Sequence, residues 1–343
     1  MPCVWSWEMS LDGGAGHGKL CFLIDLMLAE VVHDDFSLPE TLVASGYQFT
    51  SDPSGRYLGG RIGVNLVRNL HTGKVSVLKM ATTHKPLDPD QVRLLALAQK
   101  NETGKMKLPN LELVGDGWFL MEAVVGVSLS SVLDTQPQTY LSRSFELADR
   151  YQQLLAMYHS AYGKRPITAT DRNWVFARLH DWGTPLVQER FLSSDRLQEI
   201  EQAWRALVAK YGDALFKHVH GNIHGDHVIG NPEHLFVLDP VDWIRPCPFE
   251  GKMYDWLRAL DWTLVKARDP QKMFATAMGM IGRHFKGQDI GELKIFMATR
   301  AIGCLGGDIL QQSDPPHSDN GLARVKILTQ IINGDHRVYK DVK

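Results

Sequence analysis

The order of strand-like and helical segments is the feature that most constrains the fold of this 343-residue chain. Between residues 42 and 82, three short runs are rich in β-branched and apolar residues: YQFTS, RIGVNLV and KVSVLKMA. A glycine-rich loop, SDPSGRYLGGR, separates the first two runs, and a turn, RNLHTGK, separates the last two. The pattern predicts a three-stranded meander.

A helix and two further strands are predicted after the meander. The segment DPDQVRLLALAQK, residues 88 to 100, has Asp88 in the position of an N-cap and Pro89 in its first turn. The segments LELVG and WFLMEAVVG are predicted strands, separated by GDG. The N-terminal part of the chain therefore has the predicted order βββαββ.

Helical periodicity dominates beyond about residue 140. Apolar residues recur every 3.6 positions in SFELADRYQQLLAMYHSAY, in SSDRLQEIEQAWRALVAKY and in the region from residue 254 onward. Near the start of the chain, KLCFLIDLMLAEVV also predicts a helix. We therefore expect an α+β protein with an N-terminal helical extension (1–40), a β-rich lobe (41–124) and a mostly helical lobe (125–343).

Composition excludes several classes of protein. The formal net charge is −2, so no basic excess indicates a nucleic-acid partner. The four cysteines are far apart and include no CxxC pair, which argues against a disulfide framework and suits a reducing cytosol. The most apolar run, residues 20 to 32, contains Asp25 and Glu30 and is too short to span a bilayer. We expect a cytoplasmic protein without a membrane partner.

One polar cluster concentrates the residues that could carry chemistry. The segment HVHGNIHGDHVIGNPEHLFVLDPVDW, residues 218 to 243, contains five histidines, three aspartates and two asparagines. A metal-dependent hydrolase is one interpretation, because NIHGDH approaches the H-x-H-x-D-H pattern and imidazoles with a carboxylate bind Zn²⁺. Asn222 replaces its first histidine, however, and the alternating strands that such folds need before the cluster are missing.

A phosphotransferase interpretation accounts for more of the chain. Transfer of a γ-phosphoryl group needs a carboxylate to orient the attacking hydroxyl, ligands for Mg²⁺ and a lysine on the phosphates. Lys79, in VSVLKMA, resembles the V-A-I-K lysine of kinases. WFLMEAVVGVSL resembles the kinase hinge, which implies that the backbone of Glu122, Ala123 and Val124 hydrogen-bonds a purine.

The cluster itself resembles the H-G-D-x-H-x-x-N loop of the aminoglycoside and choline kinase-like phosphotransferases. The resemblance to this family covers roughly residues 42 to 265, and the loop is its most specific part. The loop is also similar to that of macrolide phosphotransferases. The resemblance implies a two-lobed protein-kinase-like fold. It also implies an ATP- or GTP-dependent, Mg²⁺-dependent enzyme that acts on a hydroxyl of a small molecule of the antibiotic, amino-sugar or amino-alcohol type.

Two registers of this loop are open. In the first, His220, Gly221 and His224 match the family pattern, Asn222 takes the place of the catalytic aspartate, and His227 that of the metal-binding asparagine. The macrolide phosphotransferases share the histidine substitution. An amide cannot accept the proton of the substrate, so the first register implies either another base or impaired catalysis.

In the second register, HGDHVIGN supplies Asp226 as the base and Asn231 as the metal ligand. The metal ligand should be followed directly by a strand, a turn and a second strand. After His227 come VIG, NPEH and LFVLD, whereas Asn231 is followed by Pro232, which cannot donate to a ladder. We favour the first register, with Asp226 as an alternative base.

Two assignments complete the predicted site. The metal-binding aspartate that ends the hairpin is Asp239 or Asp242, with Asp239 slightly favoured. YDWLRAL, with Asp255, resembles the Y-D-L-A helix start of the family, which implies that Asp255 braces the loop together with His220 and His224. The alternative to an enzyme is a pseudokinase, which would bind nucleotide or a protein partner without efficient catalysis.

Overall fold

The computed structural model describes residues 5–6, 37–50, 63–82, 86–101, 105–230, 234–285, 288–310, 319–335, 337 and 339. The chain divides into two compact units. The first, which we call the β-rich unit, comprises Met1–Val127, Ala156–Gly163 and Ile229–Asp242. The second, the helical unit, comprises Ser128–Leu155, Lys164–Val228 and Trp243–Lys343.

Strands and helices together place the described part of the chain in the predicted α+β class. The strands are β1 (Trp5–Ser6), β2 (Tyr47–Phe49), β3 (Val64–Asn69), β4 (Val75–Met80), β5 (Met106–Lys107), β6 (Leu111–Gly115), β7 (Trp118–Glu122), β8 (Val127–Ser128), β9 (Phe216–Val219), β10 (Val228–Gly230), β11 (Leu235–Val237) and β12 (Trp243–Pro246). The α-helices are α1 (Glu40–Ala44), α2 (Pro89–Lys100), α3 (Pro137–Tyr162), α4 (Ala169–Arg178), α5 (Thr184–Gln188), α6 (Ser194–Tyr211), α7 (Gly251–Lys266), α8 (Pro270–His284), α9 (Ile290–Leu310) and α10 (Asp319–Ile332).

The β-rich unit is built on an antiparallel sheet with strand order β1-β6-β7-β4-β3-β2. Strands β2, β3, β4, β6 and β7, with α2 between β4 and β6, confirm the predicted βββαββ order. Side chains alternate across the sheet, so Leu78 and Met80 of β4 join Trp118 and Leu120 of β7 in one buried cluster. Lys79, between them, is directed to the opposite face.

Helix α2 begins where the sequence predicts. A side-chain oxygen of Asp88 accepts a hydrogen bond from the backbone N–H of Asp90 at 3.0 Å, and Pro89 occupies the first turn. The helix buries Val92, Leu94 and Leu95. Its first turn also carries Gln91, which is buried.

A second sheet, with strand order β5-β11-β10-β8, contains the hairpin predicted after His227. Strand β10 begins at the next residue, Val228, and β11 ends at Val237. The hairpin is therefore confirmed, although its turn residues 231–233 lie outside the described part of the chain. Just beyond it, Asp239 has a positive φ of 51°, which is uncommon for a residue other than glycine.

The helical unit confirms two long helices and adds elements that the sequence did not predict. Helix α6 begins after its N-cap, Ser193, whose hydroxyl accepts from the N–H of Arg196 at 3.2 Å. Helix α3 begins at Pro137, seven residues before the predicted start. Helices α4 and α5 were not predicted. From residue 254 onward, the described residues form four helices, α7 to α10, and the segments that connect them.

Strands β9 and β12 flank the polar cluster and form a two-stranded antiparallel sheet in which Val219 lies opposite Trp243. The loop after β9 begins with His220 and turns sharply at Gly221, which has a φ of 77°. A Cβ atom at this position would lie 2.8 Å from the Trp243 ring. Both the backbone conformation and the packing therefore favour glycine in the H-G-N motif.

Some predicted features lie outside the described residues. They are the N-terminal helix at residues 20 to 32, the glycine-rich loop at residues 51 to 61, Asn231 and the side chain of Asp226. Among the described helices, none combines the length and the apolar character needed to cross a membrane.

Candidate functional site

In the β-rich unit, Lys79 and Asp239 are in contact. Lys79 lies on β4 with its side chain 9% exposed, and its Nζ forms an ion pair with Oδ1 of Asp239, which is 44% exposed. Nζ also donates to Oε1 of Gln91 at 3.2 Å. Gln91 is thus the partner that α2 provides for this lysine. The amide holds the ammonium group without neutralising it.

The two candidate aspartates after the hairpin have different environments. Asp239 is half-exposed, and Nε2 of Gln91 lies 3.5 Å from its Oδ1. Asp242 is buried, with a side chain only 1% exposed, and its Oδ2 lies 2.8 Å from Nε2 of His159. Only Asp239 combines a solvent-accessible carboxylate with a contact to Lys79, so the geometry favours Asp239 over Asp242 as the functional residue.

The predicted hinge follows β7 in the same unit. Glu122 is held by Asn110: its backbone N–H donates to the carbonyl of Asn110 at 2.8 Å, and its carboxylate accepts from Nδ2 of Asn110 at 2.7 Å. By contrast, the backbones of Ala123 and Val124 make no hydrogen bond to other described residues. These two residues therefore offer backbone groups to a ligand, whereas the N–H of Glu122 is already used.

In the helical unit, Asp255 of α7 holds the start of the loop. Its carboxylate accepts the backbone N–H of Gly221 at 2.7 Å and that of His220 at 3.3 Å. The carboxyl group is completely buried. Burial raises the pKa of Asp255 to about 7, although the two N–H groups and the nearby Arg300 and Arg258 act in the opposite direction.

The side chain of Asn222 is fixed by two neighbours. Nε and Nη2 of Arg258 donate to its Oδ1 at 3.2 and 3.1 Å. Because a guanidinium group only donates, the amide oxygen must face Arg258 and the amide nitrogen must face His227. Nδ2 of Asn222 lies 3.2 Å from Nδ1 of His227, so the amide can donate to this ring nitrogen.

Packing orients the other histidines of the loop. The His220 ring lies edge-on to Tyr151, with 4.7 Å between ring centroids, and its Nδ1 accepts from the backbone N–H of Asn222 at 3.2 Å. The rings of His224 and His227 lie 4.4 Å apart. The backbone of Gly225 bonds to two hydroxyls, those of Tyr140 and Ser128.

A cavity of about 430 Å³ in the helical unit opens onto Gly221 and Asn222. This volume is typical of sites for small molecules. Helix α4 contributes Trp174 and Arg178 to its wall, and β12 contributes Trp243 and Arg245. Further side chains from α7 and α9 complete it, among them Tyr254, Arg258, Asp261 and Arg300.

Arginine side chains stack on aromatic rings in this cavity. The Cζ atom of Arg245 lies 4.7 Å from the ring centroids of both Trp174 and Trp243. Arg178 contacts Trp174 and Trp182, at 5.6 and 6.0 Å. Such contacts hold a guanidinium plane against a ring while its in-plane N–H donors remain available.

The sequence prediction missed these pocket residues. One signal was present: Trp174, Arg178 and Trp182 are four residues apart, which places them on one face of a helix. A second signal was the Trp243 and Arg245 pair, two residues apart and therefore on one face of a strand. Neither signal reveals that the two segments share a cavity.

Comparisons with known proteins give similarities of fold. No protein-family model matches the chain, and no curated protein matches it in sequence. The chain is similar to the solved structure of a macrolide 2′-phosphotransferase from Brachybacterium faecium, with 15% identity, a TM-score of 0.45 and coverage of 86% of this chain and 96% of that one.

Two further solved structures are similar. For a choline/ethanolamine kinase family protein from Mesorhizobium loti, the identity is 14% and the TM-score 0.46, over 88% of this chain and 98% of that one. For an ethanolamine kinase from Plasmodium vivax, the identity is 10% and the TM-score 0.41, over 95% of this chain and 97% of that one. Residue roles in the present chain therefore rest on its own geometry.

Proposed function

We propose that the chain is a phosphotransferase that moves the terminal phosphoryl group of ATP or GTP to a hydroxyl group of a small molecule. The observation that carries this function is the contact of Lys79 with Asp239 in the β-rich unit. Phosphoryl transfer needs a lysine on the phosphates and a carboxylate on the metal, and the pair provides one group of each kind.

In this function, Lys79 binds the phosphates of the nucleotide while Gln91 keeps its ammonium group in place. Asp239 fits a magnesium ligand, because Mg²⁺ prefers oxygen donors and this carboxylate is half-exposed. When bound, the ion supplies positive charge to the phosphate oxygens. The backbone groups of Ala123 and Val124 hydrogen-bond the base of the nucleotide.

The acceptor occupies the cavity that ends at Gly221 and Asn222. Asn222 positions the hydroxyl but cannot take its proton, so Asp226 is proposed as the base. Phosphoryl transfer depends mainly on positioning and electrostatics, so a displaced base is compatible with activity. His227 stays a predicted second metal ligand, and its Nδ1 lies 3.2 Å from the side-chain nitrogen of Asn222.

A pseudokinase is the second candidate function, and one observation favours it. Oδ1 of Asn222 accepts two hydrogen bonds from Arg258, so the residue at the position of the catalytic base is tied up by a cation. In this case the β-rich unit binds nucleotide, but no phosphoryl group is transferred to an acceptor in the helical unit.

Nucleotide binding tests the role of Lys79. Thermal unfolding with Mg²⁺ and either ATP or GTP should show stabilisation of about 2.7 kcal/mol at a nucleotide concentration 100 times the Kd. Lys79→Met should abolish most of this shift. Lys74→Met is the matched control, because Lys74 lies just before the same strand with its side chain 59% exposed, paired with Glu112. Equal shifts in both variants would contradict the role of Lys79.

Transfer assays distinguish the two candidate functions. An enzyme should phosphorylate a hydroxylated acceptor, and Asp226→Ala should then abolish transfer if Asp226 is the base. A pseudokinase should bind nucleotide without forming product. Activity that appears only in Asn222→Asp would identify the wild-type chain as a pseudokinase.

A further inference from the structure

The cavity at Asn222 has an excess of positive charge. Four guanidinium groups line it, those of Arg178, Arg245, Arg258 and Arg300, and Asp261 is the only carboxylate among its described lining residues. Acceptors of the amino-sugar or amino-alcohol type are cationic at neutral pH. Such a molecule would add a further positive charge to the cavity. The charge of the cavity therefore opposes binding of the amino-sugar or amino-alcohol acceptors that the resemblance to aminoglycoside and choline kinase-like phosphotransferases implies.

Two of the four arginines have their charge or donors engaged within the protein. Arg300 donates to Asp261 through Nε at 2.6 Å and Nη2 at 2.5 Å, and to the hydroxyl of Tyr254 at 2.8 Å. Arg258 donates to Asn222 and lies 4.0 Å from Asp261. Asp261 is thus shared, and its charge offsets only one of these two cations.

Arg245 has a different environment. Within the described part of the chain, the one hydrogen bond of its guanidinium group is from Nη1 to the adjacent carbonyl of Ile244 at 2.9 Å, and the group has no carboxylate partner. The guanidinium group is half-buried and stacks on Trp174 and Trp243. Arg178 stacks on the same Trp174 ring and also lacks a carboxylate partner among the described residues.

The electrostatic environment of Arg245 agrees with this geometry. Burial is the main cause that lowers the pKa of Arg245; Tyr254 and Asp171 act in the opposite direction, and the neighbouring Arg178 and Arg300 lower it further. Asp171 is itself paired with Arg165 at 2.9 Å. An anion placed beside Arg245 would supply the negative charge that its described neighbours do not.

We infer that the acceptor is a small hydroxylated acid whose carboxylate pairs with Arg245 and whose flat apolar part lies against the tryptophan rings of the cavity. A guanidinium group held between ring faces presents N–H donors in its own plane, which matches the two oxygens of a carboxylate. The inference names the acceptor class of the proposed phosphotransferase. It rests on that proposed function only in the claim that the hydroxyl group of the acid is phosphorylated.

Three probes that differ in the charge of one substituent test the inference. They are 4-(hydroxymethyl)benzoate, 1,4-benzenedimethanol and 4-(hydroxymethyl)benzylamine, which all carry a hydroxymethyl group on a benzene ring, opposite a carboxylate, a second hydroxymethyl group and an ammonium group respectively. Binding is measured by titration calorimetry without nucleotide, so that it does not depend on transfer. The acid should bind at least about tenfold more tightly than the neutral diol, because a charge-assisted hydrogen bond contributes that much or more. The amine should bind most weakly.

Variants of the arginine localise the effect. Arg245→Met keeps the apolar stem and should weaken binding of the acid by about tenfold or more, while leaving the diol unchanged. Arg245→Lys keeps the positive charge but not the planar guanidinium group, so it should weaken binding of the acid less than Arg245→Met does. Arg172→Met is the matched control, because Arg172 lies on α4 outside the cavity and pairs with Asp213. Circular dichroism checks that each variant is folded.

The outcomes separate this inference from the proposed function. If the acid binds through Arg245 but is never phosphorylated with Mg²⁺ and ATP or GTP, the anionic pocket stands and the phosphotransferase is wrong. If the amine is phosphorylated with a KM that Arg245→Met does not change, the phosphotransferase stands and the anionic pocket is wrong. Equal binding of acid and amine, or no binding of the acid in the millimolar range, also overturns the inference.

Discussion

Lys79 in the β-rich unit and Arg245 in the helical unit are cations with different partners. Lys79 contacts the carboxylate of Asp239, and Gln91 accepts a further hydrogen bond from it. Arg245 lies against two tryptophan rings, and no described residue offers it a carboxylate. Among the described residues, the β-rich unit pairs the buried Lys79 with a carboxylate, whereas the helical unit leaves Arg245 and Arg178 without one.

This difference indicates two kinds of ligand. A balanced lysine–aspartate pair suits a ligand that brings both signs of charge, such as a nucleotide with its magnesium ion. An unbalanced arginine in a cavity suits a ligand that brings negative charge alone. The two units can therefore be tested separately, by substituting the carboxylates in each unit and measuring stability and ligand binding.

The largest expected effect comes from removing Asp261, the one carboxylate among the described residues that line the cavity. Asp261→Asn leaves the guanidinium group of Arg300, which is 13% exposed, without its anionic partner. Breaking a buried ion pair in this way costs about 3–5 kcal/mol. Urea unfolding of the variant should show a loss of this size. A loss below about 1 kcal/mol would mean that Arg300 is not charge-balanced by Asp261.

The next effect depends on pH and concerns Asp255 beneath the loop. Its pKa of about 7 lies above the unfolded value of 3.8, so the folded state binds the extra proton between these pH values. Its stabilising contribution is therefore complete below about pH 4 and is lost as the pH rises to about 7.

The Asp255→Asn variant lacks this titration. The difference in free energy of unfolding, wild type minus variant, should fall by at most about 1.4 kcal/mol per pH unit between pH 4 and 7. Above pH 7 it should be constant. Urea unfolding at a series of pH values measures it, and a difference that rises with pH would contradict the burial of an uncharged carboxyl group at this position.

A smaller effect is expected in the β-rich unit. Asp239→Asn keeps an acceptor for Lys79 and a residue type that tolerates a positive φ. Because Asp239 is 44% exposed and Gln91 still accepts a hydrogen bond from the buried Lys79, the loss of this charge should cost less stability than Asp261→Asn does. The same variant should lose the stabilisation by Mg²⁺ and nucleotide. A stability loss as large as that of Asp261→Asn would remove the contrast between the two units.

The smallest effect is expected on the surface. Arg172 pairs with Asp213 at 2.7 Å, but their side chains are 47% and 63% exposed. Arg172→Ala should therefore change the free energy of unfolding by about 0.2–1 kcal/mol. Thermal unfolding at low and high salt should show that this small effect is reduced by screening. A salt-independent effect would mean that the arginine stabilises α4 through packing.

The sequence predicted the parts of the fold and the site that depend on local patterns. Strand β4 with Lys79, the N-cap of α2 and the hairpin between β10 and β11 all follow from period, capping and turn signals over a few residues. Asp239 was slightly favoured over Asp242 because it ends LFVLD, the second strand of the predicted hairpin. In the structure it is also the more exposed of the two carboxylates, and it contacts Lys79.

The cavity could not be predicted, because its walls come from segments far apart in the chain. Trp174, Trp243 and Arg300 belong to α4, β12 and α9, and no short-range pattern relates them. The orientation of Asn222 depends likewise on Arg258, 36 residues later. Sequence patterns identified residues whose side chains could take part in binding or catalysis. Which of the charged side chains have a partner of opposite charge depends on tertiary packing.

One competition experiment tests the central claim most directly. Wild-type protein receives Mg²⁺, ATP or GTP, and equal concentrations of the benzoate, diol and benzylamine probes, and mass spectrometry measures the phosphorylated products. We expect phosphorylated 4-(hydroxymethyl)benzoate as the main product, its loss in Lys79→Met and its reduction in Arg245→Met. Absence of any phosphorylated probe, or a main product derived from the amine, would contradict the account of a phosphotransferase for hydroxylated acids.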